Sequence, residues 1–461
     1  MTNATQPRTS GRRRHAVVIG ASMGGLTAAR VLADQFDVVT VLERDELPPG
    51  ADPRRGVPQG RQAHALLAGG ARAIAELFPG IMEELVADGA ALLDFNDGTW
   101  FQAGGYRAPS LIERKVISAS RPFLEAGIRR RVSALPNVRF QTGVTVSGLE
   151  ADGAQVRGVR IDDGAAVVTA DLVVDCSGRS SRAPQWLERL GFPAPEVVTV
   201  SCDVRYATML LRRRPTDLDG TFAVSIESPP HGKRAGFALP IEDDRWIMTI
   251  AGCFGARAAS DDASFRELAA SLPSPELSDV LAVAEPLGPV TTHRLASSMR
   301  RRYEKLRRGP GGFVVLGDAV CSFNPIYGQG MTSAVLQAVA LGHCVERNGT
   351  GPRLFRAFSR AAAEVVDNPW RIAVGADFAY PECAGAKPPG TDLVNRYMGR
   401  VLLAAQVSPE INTALLMVQN LLAAPSLLLR PRMIPAVLRA ARVAEQRPVT
   451  RLARRPVAVP A

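Results

Sequence analysis

The chain has 461 residues, of which 46% are hydrophobic and 34 are prolines, so it is long enough for two or three globular domains with a large buried core. Its formal net charge of +10 comes from the two ends, because residues 1–14 carry four arginines and no acid, and residues 430–455 carry eight arginines against one acid. Without these ends the charge is close to zero, which argues against a nucleic-acid-binding face.

The N-terminus and the cysteines bear on location. The N-terminus is polar and rich in arginine without the apolar stretch of a signal peptide, and no run of about 18 apolar residues occurs. The six cysteines form no Cys-x-x-Cys pair and show no metal-ligand spacing, which is typical of proteins in a reducing compartment. The sequence predicts a soluble cytoplasmic protein with no metal site and a basic, disordered tail over residues 1–14.

The first informative segment is residues 16–43, AVVIGASMGGLTAARVLADQFDVVTVLE. An apolar strand, a glycine-rich turn, a helix of small apolar residues and a second apolar strand follow one another, which is the order that a dinucleotide-binding fold requires. A serine replaces the middle glycine of the usual pattern and is small enough for the backbone to approach a pyrophosphate. The helix after the turn directs amide donors at a diphosphate. The turn residues are Gly20, Ser22, Gly24 and Gly25.

The end of the second strand carries an acid and then a base. Glu43 lies 23 residues after Gly20, where a carboxylate can bind the ribose hydroxyls of a dinucleotide. Arg44 follows it and suits a 2′-phosphate, so this segment alone leaves the dinucleotide open. The alternative is a Rossmann-like strand pair with an incidental surface acid.

Two later segments repeat the pattern of an apolar strand that ends in a turn. Residues 171–182, DLVVDCSGRSSR, predict a strand, a turn at Ser177-Gly178 and a polar helix start. Residues 313–334, FVVLGDAVCSFNPIYGQGMTSA, predict a strand that stops at Gly317-Asp318, a loop, and a helix whose first turn has few side chains. Such a helix start supplies donors and lets a ligand approach the backbone. The alternative is an Asx-capped loop that opens a buried helix.

The three segments, in this order, resemble the FAD-dependent monooxygenases of the para-hydroxybenzoate hydroxylase fold. The resemblance implies an α/β fold in which a Rossmann-like FAD-binding domain is interleaved with a mostly antiparallel β-sheet substrate domain, followed by C-terminal helices. It also implies that Asp318 binds the ribityl hydroxyls of FAD and that Pro325 faces the isoalloxazine ring. The backbone amides from Gly328 to Met331, with Gly330 between them, would lie against the pyrimidine edge of that ring.

Five longer stretches extend the comparison over nearly the whole chain: RRGVPQGRQAHALL (54–67), DCSGRSSRAPQWLERLG (175–191), PIEDDRWIMTI (240–250), GDAVCSFNPIYGQGM (317–331) and DNPW (367–370). They resemble the flavin epoxidases of polyether-antibiotic pathways, those of monensin and lasalocid. In that family an arginine that opens a helix after the third or fourth strand contacts FAD, which implies this role for Arg121. The first stretch lines the cofactor side, which implies a place there for Arg61 and His64; the alternative is a satisfied helix arginine and a core histidine.

One departure concerns the reductant. The wider hydroxylase family has Asp-Gly in the second segment, where the acid is linked to FAD and NADPH contacts. This chain has Ser177-Gly178 instead, with Asp175 nearby as a partial substitute. The polyether epoxidases also lack the acid, so the change agrees with the closer resemblance. NADPH is the implied reductant, and an external flavin reductase is the alternative to its direct use. Cys321 replaces a histidine of the wider family and is interpreted as a packing residue.

The predicted domains are interleaved along the chain. The FAD-binding domain is assigned to residues 15–92, 111–190 and 290–375. The substrate-binding sheet is assigned to residues 93–110 and 191–289, where stretches of the sequence alternate between apolar and polar residues as antiparallel strands do.

Residues 376–461 are assigned to a C-terminal helical region with a basic tail. Ser408-Pro409-Glu410 predicts a helix start, with serine at the cap and proline at the first helical position. Residues 433–445, MIPAVLRAARVAE, predict an amphipathic segment. We expect these helices to pack on the body of the protein or on a dimer partner, and membrane contact is the alternative.

The chemistry implied by the resemblance belongs to the cofactor. NADPH reduces FAD, O₂ adds to form a C4a-hydroperoxyflavin, and this species transfers an oxygen atom to a carbon–carbon double bond of an apolar polyketide- or terpenoid-like substrate. Such an epoxidation needs a dry pocket but no protein nucleophile or acid–base residue, and the sequence identifies none.

Three alternatives stay open at this point. Aromatic hydroxylation usually needs a base that deprotonates a phenol, and no such base can be identified from the sequence. A flavin-dependent reductase of a hydrophobic substrate and a non-catalytic flavin-binding partner protein are the other two. Halogenation is disfavoured because the four tryptophans are far apart in the sequence and form no Trp-x-Trp-x-Ile-Pro motif.

Overall fold

The structure is a computed structural model that describes residues 14–214, 216–220 and 222–447, so residues 1–13, nearly all of the predicted disordered tail, and residues 448–461 at the basic C-terminal end lie outside the described residues. The helices are α1 (Met23–Ala33), α2 (Ala68–Leu77), α3 (Ile81–Ala87), α4 (Arg121–Ser133), α5 (Ala183–Arg189), α6 (Asp262–Ala270), α7 (Glu276–Val283), α8 (Gly330–Asn348), α9 (Pro352–Asp377), α10 (Thr391–Ala404), α11 (Pro409–Gln419) and α12 (Met433–Glu445). The strands are β1 (His15–Ile19), β2 (Val38–Leu42), β3 (Ala91–Asp94), β4 (Thr99–Gln102), β5 (Gly105–Tyr106), β6 (Lys115–Ser118), β7 (Val138–Gln141), β8 (Val146–Asp152), β9 (Gln155–Ile161), β10 (Ala166–Thr169), β11 (Leu172–Asp175), β12 (Val197–Arg212), β13 (Ala223–Ile226), β14 (Arg234–Ile241), β15 (Arg245–Gly252), β16 (Thr291–Arg301), β17 (Phe313–Val315) and β18 (Cys321–Ser322).

A parallel five-stranded sheet, with strand order β17-β11-β1-β2-β7, organises the first domain. Its central strand β1 places Val17 beside Thr40 on one side and Val173 on the other. Ala16 and Val18 face a core shared with α1 and α8, whereas Val17 faces a second core shared with β8 and β9. Both faces of the sheet are therefore covered, which is why its strands are nearly continuous apolar runs.

A second, eight-stranded sheet has the order β18-β16-β12-β15-β14-β13-β4-β5 and is antiparallel apart from the pairing of β13 with β4. The alternating segments of residues 196–285 form its strands β12 to β15, and the predicted class of fold is confirmed. In the centre of the sheet, Thr208 of β12 lies opposite Thr249 of β15 and Thr291 of β16.

Two strand pairings could not be predicted from the sequence. β16 falls within 290–375, the third segment assigned to the FAD-binding domain, yet it pairs along β12 in the eight-stranded sheet. β6 pairs with β3 in a separate two-stranded sheet. Both pairings join residues far apart in the chain, and local alternation of polarity carries no information about such partners.

The C-terminal helices form a core of their own around Val401, Leu415 and Val437. The hydroxyl of Ser408 accepts a hydrogen bond from the amide of Ile411 at 3.3 Å, so α11 begins as predicted. α12 covers the predicted amphipathic segment. In the described part of the chain, no helix has both the length and the apolar character needed to cross a bilayer.

The C-terminal region also touches the first domain directly. The carbonyl of Asn420, just after α11, accepts a hydrogen bond from the amide of Gly69 at 3.0 Å, and its side-chain oxygen accepts one from the amide of Ala68 at 3.2 Å. The C-terminal helices therefore hold the start of α2, which in turn contacts the first turn of α8 through Thr332 and Gly70.

Candidate functional site

The glycine-rich turn between β1 and α1 is packed too closely to accept side chains at two of its positions. Gly20 adopts a φ of +100°, and a Cβ atom there would lie 2.7 Å from the carbonyl oxygen of Cys176. A Cβ atom on Gly25 would lie 1.8 Å from the carbonyl oxygen of Gly20. α1 begins immediately, at Met23, without a side-chain cap. Its first amide groups can therefore take an anionic group in place of a cap.

Glu43 lies at the end of β2 and is bonded to this turn. Its Oε2 accepts a hydrogen bond from the amide of Ala21 at 2.8 Å, and its Oε1 accepts one from the amide of Asp45 at 3.1 Å. The predicted ribose-binding acid is thus held next to the predicted diphosphate turn. Arg44, the next residue, is exposed.

Arg54 and Glu125 form a buried ionic network with Glu43. The guanidinium of Arg54 lies 2.8 Å from Glu43 Oε2 and 3.0 Å from Glu125 Oε1, and each of the three side chains is at most 7% exposed. Burial by itself raises the pKa of Glu125, but the charges of Arg121 and Arg54, together with hydrogen bonds from Ser22 and Arg54, bring it below its usual value. Glu125 is therefore ionised at neutral pH.

Of the three residues in this network, only Glu43 was identified from the sequence; Arg54 and Glu125 were not. Arg54 opens the stretch RRGVPQGRQAHALL, and Glu125 follows Arg121 by one helical turn. The sequence did offer two signals: Arg54 follows the predicted ribose-binding acid Glu43 by 11 residues, and Glu125 lies one turn into the helix that Arg121 opens.

Arg121 opens α4 and joins the network to the glycine-rich turn. Its Nε lies 3.2 Å from Glu125 Oε2, and its Nη2 donates at 2.9 Å to the hydroxyl of Ser22, which donates at 2.8 Å to the same Glu125 oxygen. Its Nη1 lies 3.4 Å from Nε2 of His64, whose Nδ1 lies 2.9 Å from the carbonyl of Gln62. Burial, and then the charge of Arg121, lower the pKa of His64 to about 3. The imidazole is therefore neutral across the physiological range.

The third segment brings Asp318 and the start of α8 into the same region. Burial raises the pKa of Asp318, while the charges of Arg121 and Arg179 oppose the rise. α8 begins at Gly330 without a side-chain cap, and the nearest atom to a Cβ placed on Gly330 would be Asp318 Oδ1 at 3.9 Å. Because α8 is 19 residues long, the positive end of its dipole meets this open space.

Unpartnered polar atoms test whether these residues suit FAD. Gln329 Oε1, just before Gly330, is buried without a hydrogen-bond partner among the described residues, and Ser177 Oγ, whose Cα lies 3.5 Å from a Cβ placed on Gly20, has at most the carboxyl of Asp175 as a partner. Buried polar atoms of this kind are costly unless a ligand or water satisfies them. With the space at Gly330 and two uncapped helix starts, they fit a long polar anion such as FAD.

Asp175 does not replace the acid that the wider hydroxylase family has at Ser177. It is fully buried, its Oδ1 accepts a hydrogen bond from the amide of Ser177 at 2.9 Å, and its Oδ2 accepts one from the hydroxyl of Ser181 at 2.5 Å. Both oxygens serve the local turn, so the structure gives Asp175 a structural role. Cys321 is 1% exposed, and burial raises the pKa of its thiol well above the usual value, in agreement with a packing role.

The remaining candidate residues differ in exposure and in what fixes their conformation. Pro325 opens a short 3₁₀ turn, Pro325–Tyr327, and is exposed. Gly328 adopts a φ of +65°, so its backbone conformation already calls for glycine without any contact to a ring. The side chain of Met331 packs into the core, which leaves only its amide for a ligand. Arg61 is exposed.

The eight-stranded sheet meets the first domain beside His64. The hydroxyl of Thr208 donates to Gln62 Oε1 at 2.5 Å, and the amide of Ala63 donates to Thr249 Oγ1 at 3.2 Å. The central strands of the sheet therefore cover the segment that carries His64.

Comparison with known proteins identifies related sequences. The family model described as "FAD binding domain" matches residues 80–367, more than half of the chain. Protein Rv3254 of Mycobacterium tuberculosis is 36% identical over 429 residues, which cover 88% of this chain and 89% of that protein. The kynurenine 3-monooxygenase of Salinispora arenicola is 27% identical over 379 residues, which cover 78% of this chain and 77% of that enzyme.

The fold also resembles solved structures. The crystal structure of PqsL, a probable FAD-dependent monooxygenase from Pseudomonas aeruginosa, superposes with a TM-score of 0.59 at 18% sequence identity, covering 79% of this chain and 98% of that one. At this level of identity the likeness concerns the fold alone.

Proposed function

The chain belongs to the FAD-binding domain family, FAD is its cofactor, and we propose that it is a FAD-dependent monooxygenase that transfers one atom of O₂ to a small organic molecule. The observation that supports this best is a pair of uncapped helix starts, at α1 and α8, linked by Arg121, which donates to Ser22 before α1 and whose charge acts on Asp318 before α8.

The work of the protein residues follows from this arrangement. The amides at the start of α1 bind the diphosphate, and Glu43 binds the ribose hydroxyls. Asp318 orients the ribityl chain, while the dipole of α8 stabilises negative charge at the ring. The cofactor, once reduced, supplies the activation of O₂. The eight-stranded sheet, which is bonded to the segment of His64, would exclude water from the site and so protect the transfer of oxygen from competing loss of peroxide.

Within this class, our first candidate is epoxidation of a carbon–carbon double bond in an apolar polyketide- or terpenoid-like substrate. It is supported by the five stretches that resemble the polyether epoxidases. Hydroxylation of an aromatic compound is the second candidate, because a curated relative at 27% identity, the enzyme of Salinispora arenicola, is a kynurenine 3-monooxygenase.

Oxygen labelling tests this proposal. The FAD-loaded protein is given NADPH, ¹⁸O₂ and one of two substrates, an apolar polyene or kynurenine, and the products are analysed by mass spectrometry. We expect one ¹⁸O atom in the product of one substrate and loss of the oxidised flavin spectrum when NADPH is added without oxygen. If NADPH leaves that spectrum unchanged, an added flavin reductase should restore turnover. A product that forms without oxygen would identify a flavin-dependent reductase instead. FAD binding without any turnover would identify a non-catalytic partner protein.

Gly330→Leu tests the position of FAD. A Cβ at this residue has no neighbour within 3.9 Å, so the variant should keep the unfolding temperature of the wild-type apoprotein. Its side chain would extend into the space assigned to the cofactor, and we expect FAD affinity to fall by at least about tenfold, or 1.4 kcal/mol. Quenching of FAD fluorescence measures the affinity. Gly399→Leu, on the exposed face of α10 with no atom within 4 Å, is the control. Equal affinities in the two variants would contradict the assignment.

A further inference from the structure

A buried carboxyl lies beneath the turn that carries Pro325. Asp377 is the last residue of α9, and its Oδ1 accepts hydrogen bonds from Asn324 Nδ2 at 2.8 Å and from the hydroxyl of Tyr327 at 3.0 Å. These two residues stand on either side of Pro325 and Ile326. One oxygen atom therefore holds both ends of the turn.

Asn324 links this contact to the backbone of the turn and to the eight-stranded sheet. Its Oδ1 accepts a hydrogen bond from the amide of Ile326 at 3.2 Å and lies 3.4 Å from the hydroxyl of Tyr206 on β12. Its own amide donates to the hydroxyl of Ser298 on β16 at 2.9 Å. Any change at Asp377 is thus passed to the segment between the sheet and α8.

The surroundings of Asp377 contain no compensating cation in the described part of the chain. It is 2% exposed, and its Oδ2 is buried without a hydrogen-bond partner. The titratable groups that face it are three tyrosines and three cysteines whose own pKa values are raised by burial, so they are neutral near pH 7: Tyr206, Tyr327, Tyr380, Cys202, Cys253 and Cys383. Burial raises the pKa of Asp377 to about 7, while the bonds from Asn324 and Tyr327 oppose the rise.

A purely structural tie would not need an ionisable group. An asparagine at this position could accept the same two hydrogen bonds with its side-chain oxygen, and it would avoid the cost of a buried charge. What the aspartate adds is a proton that it gains or loses. Hydrogen bonds to a carboxylate are stronger than those to a neutral acid, so the turn is held more firmly when the proton is absent.

We propose that Asp377 is a positioning residue of the cofactor site, which holds the turn of Pro325 at both ends and makes the binding of FAD depend on its protonation. The inference rests on the proposed function, because it assumes that FAD lies against this turn. It assigns a role to a residue that lies 50 residues after the end of the Pro325 turn in the chain.

The test is the dissociation constant of FAD between pH 5.5 and 8.5, measured by quenching of flavin fluorescence. For the wild type we expect tighter binding at high pH, with an inflection near pH 7. If the pKa of Asp377 is one unit lower in the FAD-bound protein than in the free protein, the affinity changes by up to about tenfold. Asp377→Asn should show no such inflection. Asp392→Asn, at an exposed position of α10, should behave as the wild type does.

A second variant keeps the carboxyl and changes its surroundings. Because the hydrogen bond from Tyr327 lowers the pKa of Asp377, Tyr327→Phe should move the inflection to higher pH. The protonated carboxyl of Asp377 should give an infrared C=O band in the wild-type apoprotein, which is assigned by its absence in Asp377→Asn. This band should disappear as the pH rises through the same range.

The outcomes separate this inference from the proposed function. Failure of the wild type to bind FAD at any pH would overturn both. FAD binding with the same pH profile in the wild type and in Asp377→Asn, or an unchanged inflection in Tyr327→Phe, would overturn the role of Asp377 alone.

Discussion

Gly25→Ala should prevent FAD binding and lower the free energy of unfolding by about 3 kcal/mol or more. The added Cβ would lie 1.8 Å from the carbonyl oxygen of Gly20, a backbone atom that no rotamer change can move away. Relief of this contact requires α1 to shift away from β1, and its first amides then no longer form the diphosphate site. Urea unfolding monitored by circular dichroism gives the stability, and titration with FAD gives the affinity.

Gly399→Ala is the matched control, since it makes the same change within a helix. Gly399 is exposed on α10 and has no atom within 4 Å of a placed Cβ, so alanine should leave stability unchanged or raise it by up to about 1 kcal/mol through its higher helix propensity. If Gly25→Ala has the same stability and FAD affinity as this control, the close packing of residue 25 against the carbonyl of Gly20 is contradicted.

Local sequence signals predicted much of this fold. The strand–turn–helix–strand unit of residues 16–43 and the start of α11 at Pro409 both appear where the sequence indicated them. Each depends on neighbouring residues: apolar runs for strands, Ser408 with Pro409 for a helix start, and glycines where the backbone turns. Such signals need no knowledge of the rest of the chain.

The electrostatics of the site could not be predicted in the same way. Arg54, Glu125 and Asp377 take their roles from partners distant in sequence: Arg54 lies 71 residues from Glu125, and Asp377 lies 53 from Asn324. A single charged residue looks the same in a sequence whether it is solvated or buried against a partner. The same reasoning applies to Asp175, whose position beside Ser177 suggested a binding role but whose oxygens serve its own turn.

The base that aromatic hydroxylation needs shows how this limit of the sequence affects the assignment of function. The preference for epoxidation relied partly on the fact that the sequence identified no acid–base residue. The structure contains a buried carboxyl, Asp377, next to the Pro325 turn and with a pKa raised to about 7. Asp377 holds the turn and is not assigned as the base, but it shows that a titrating group formed by distant residues escapes a search of the sequence, so the oxygen-labelling experiment has to include both kinds of substrate.

Arg54→Ala should lower the free energy of unfolding by about 3–5 kcal/mol at neutral pH, because it leaves the carboxylates of Glu43 and Glu125 buried without their shared cation. The pKa of Glu125 is lowered in the folded wild type, so its contribution to stability is present above the unfolded value of about 4.3 and is lost as the pH falls. Loss of Arg54 raises that pKa. The deficit of the variant should therefore be largest near pH 8 and should shrink towards pH 4.

Urea unfolding at pH 4.5, 6 and 8 measures this change in deficit, and Arg72→Ala is its matched control. Arg72 pairs with Glu76 on the surface of α2, where both side chains are more than half exposed, so its loss should have little effect at any pH. The double variant Arg54→Ala with Glu125→Gln removes one of the two carboxylates that have lost Arg54, the one that still pairs with Arg121, and should recover part of the stability at pH 8 but little at pH 4.5. A deficit in Arg54→Ala that stays constant with pH would mean that lost packing, and not charge, dominates at this position, and the ionic network would then not be what holds Glu43 beside the glycine-rich turn.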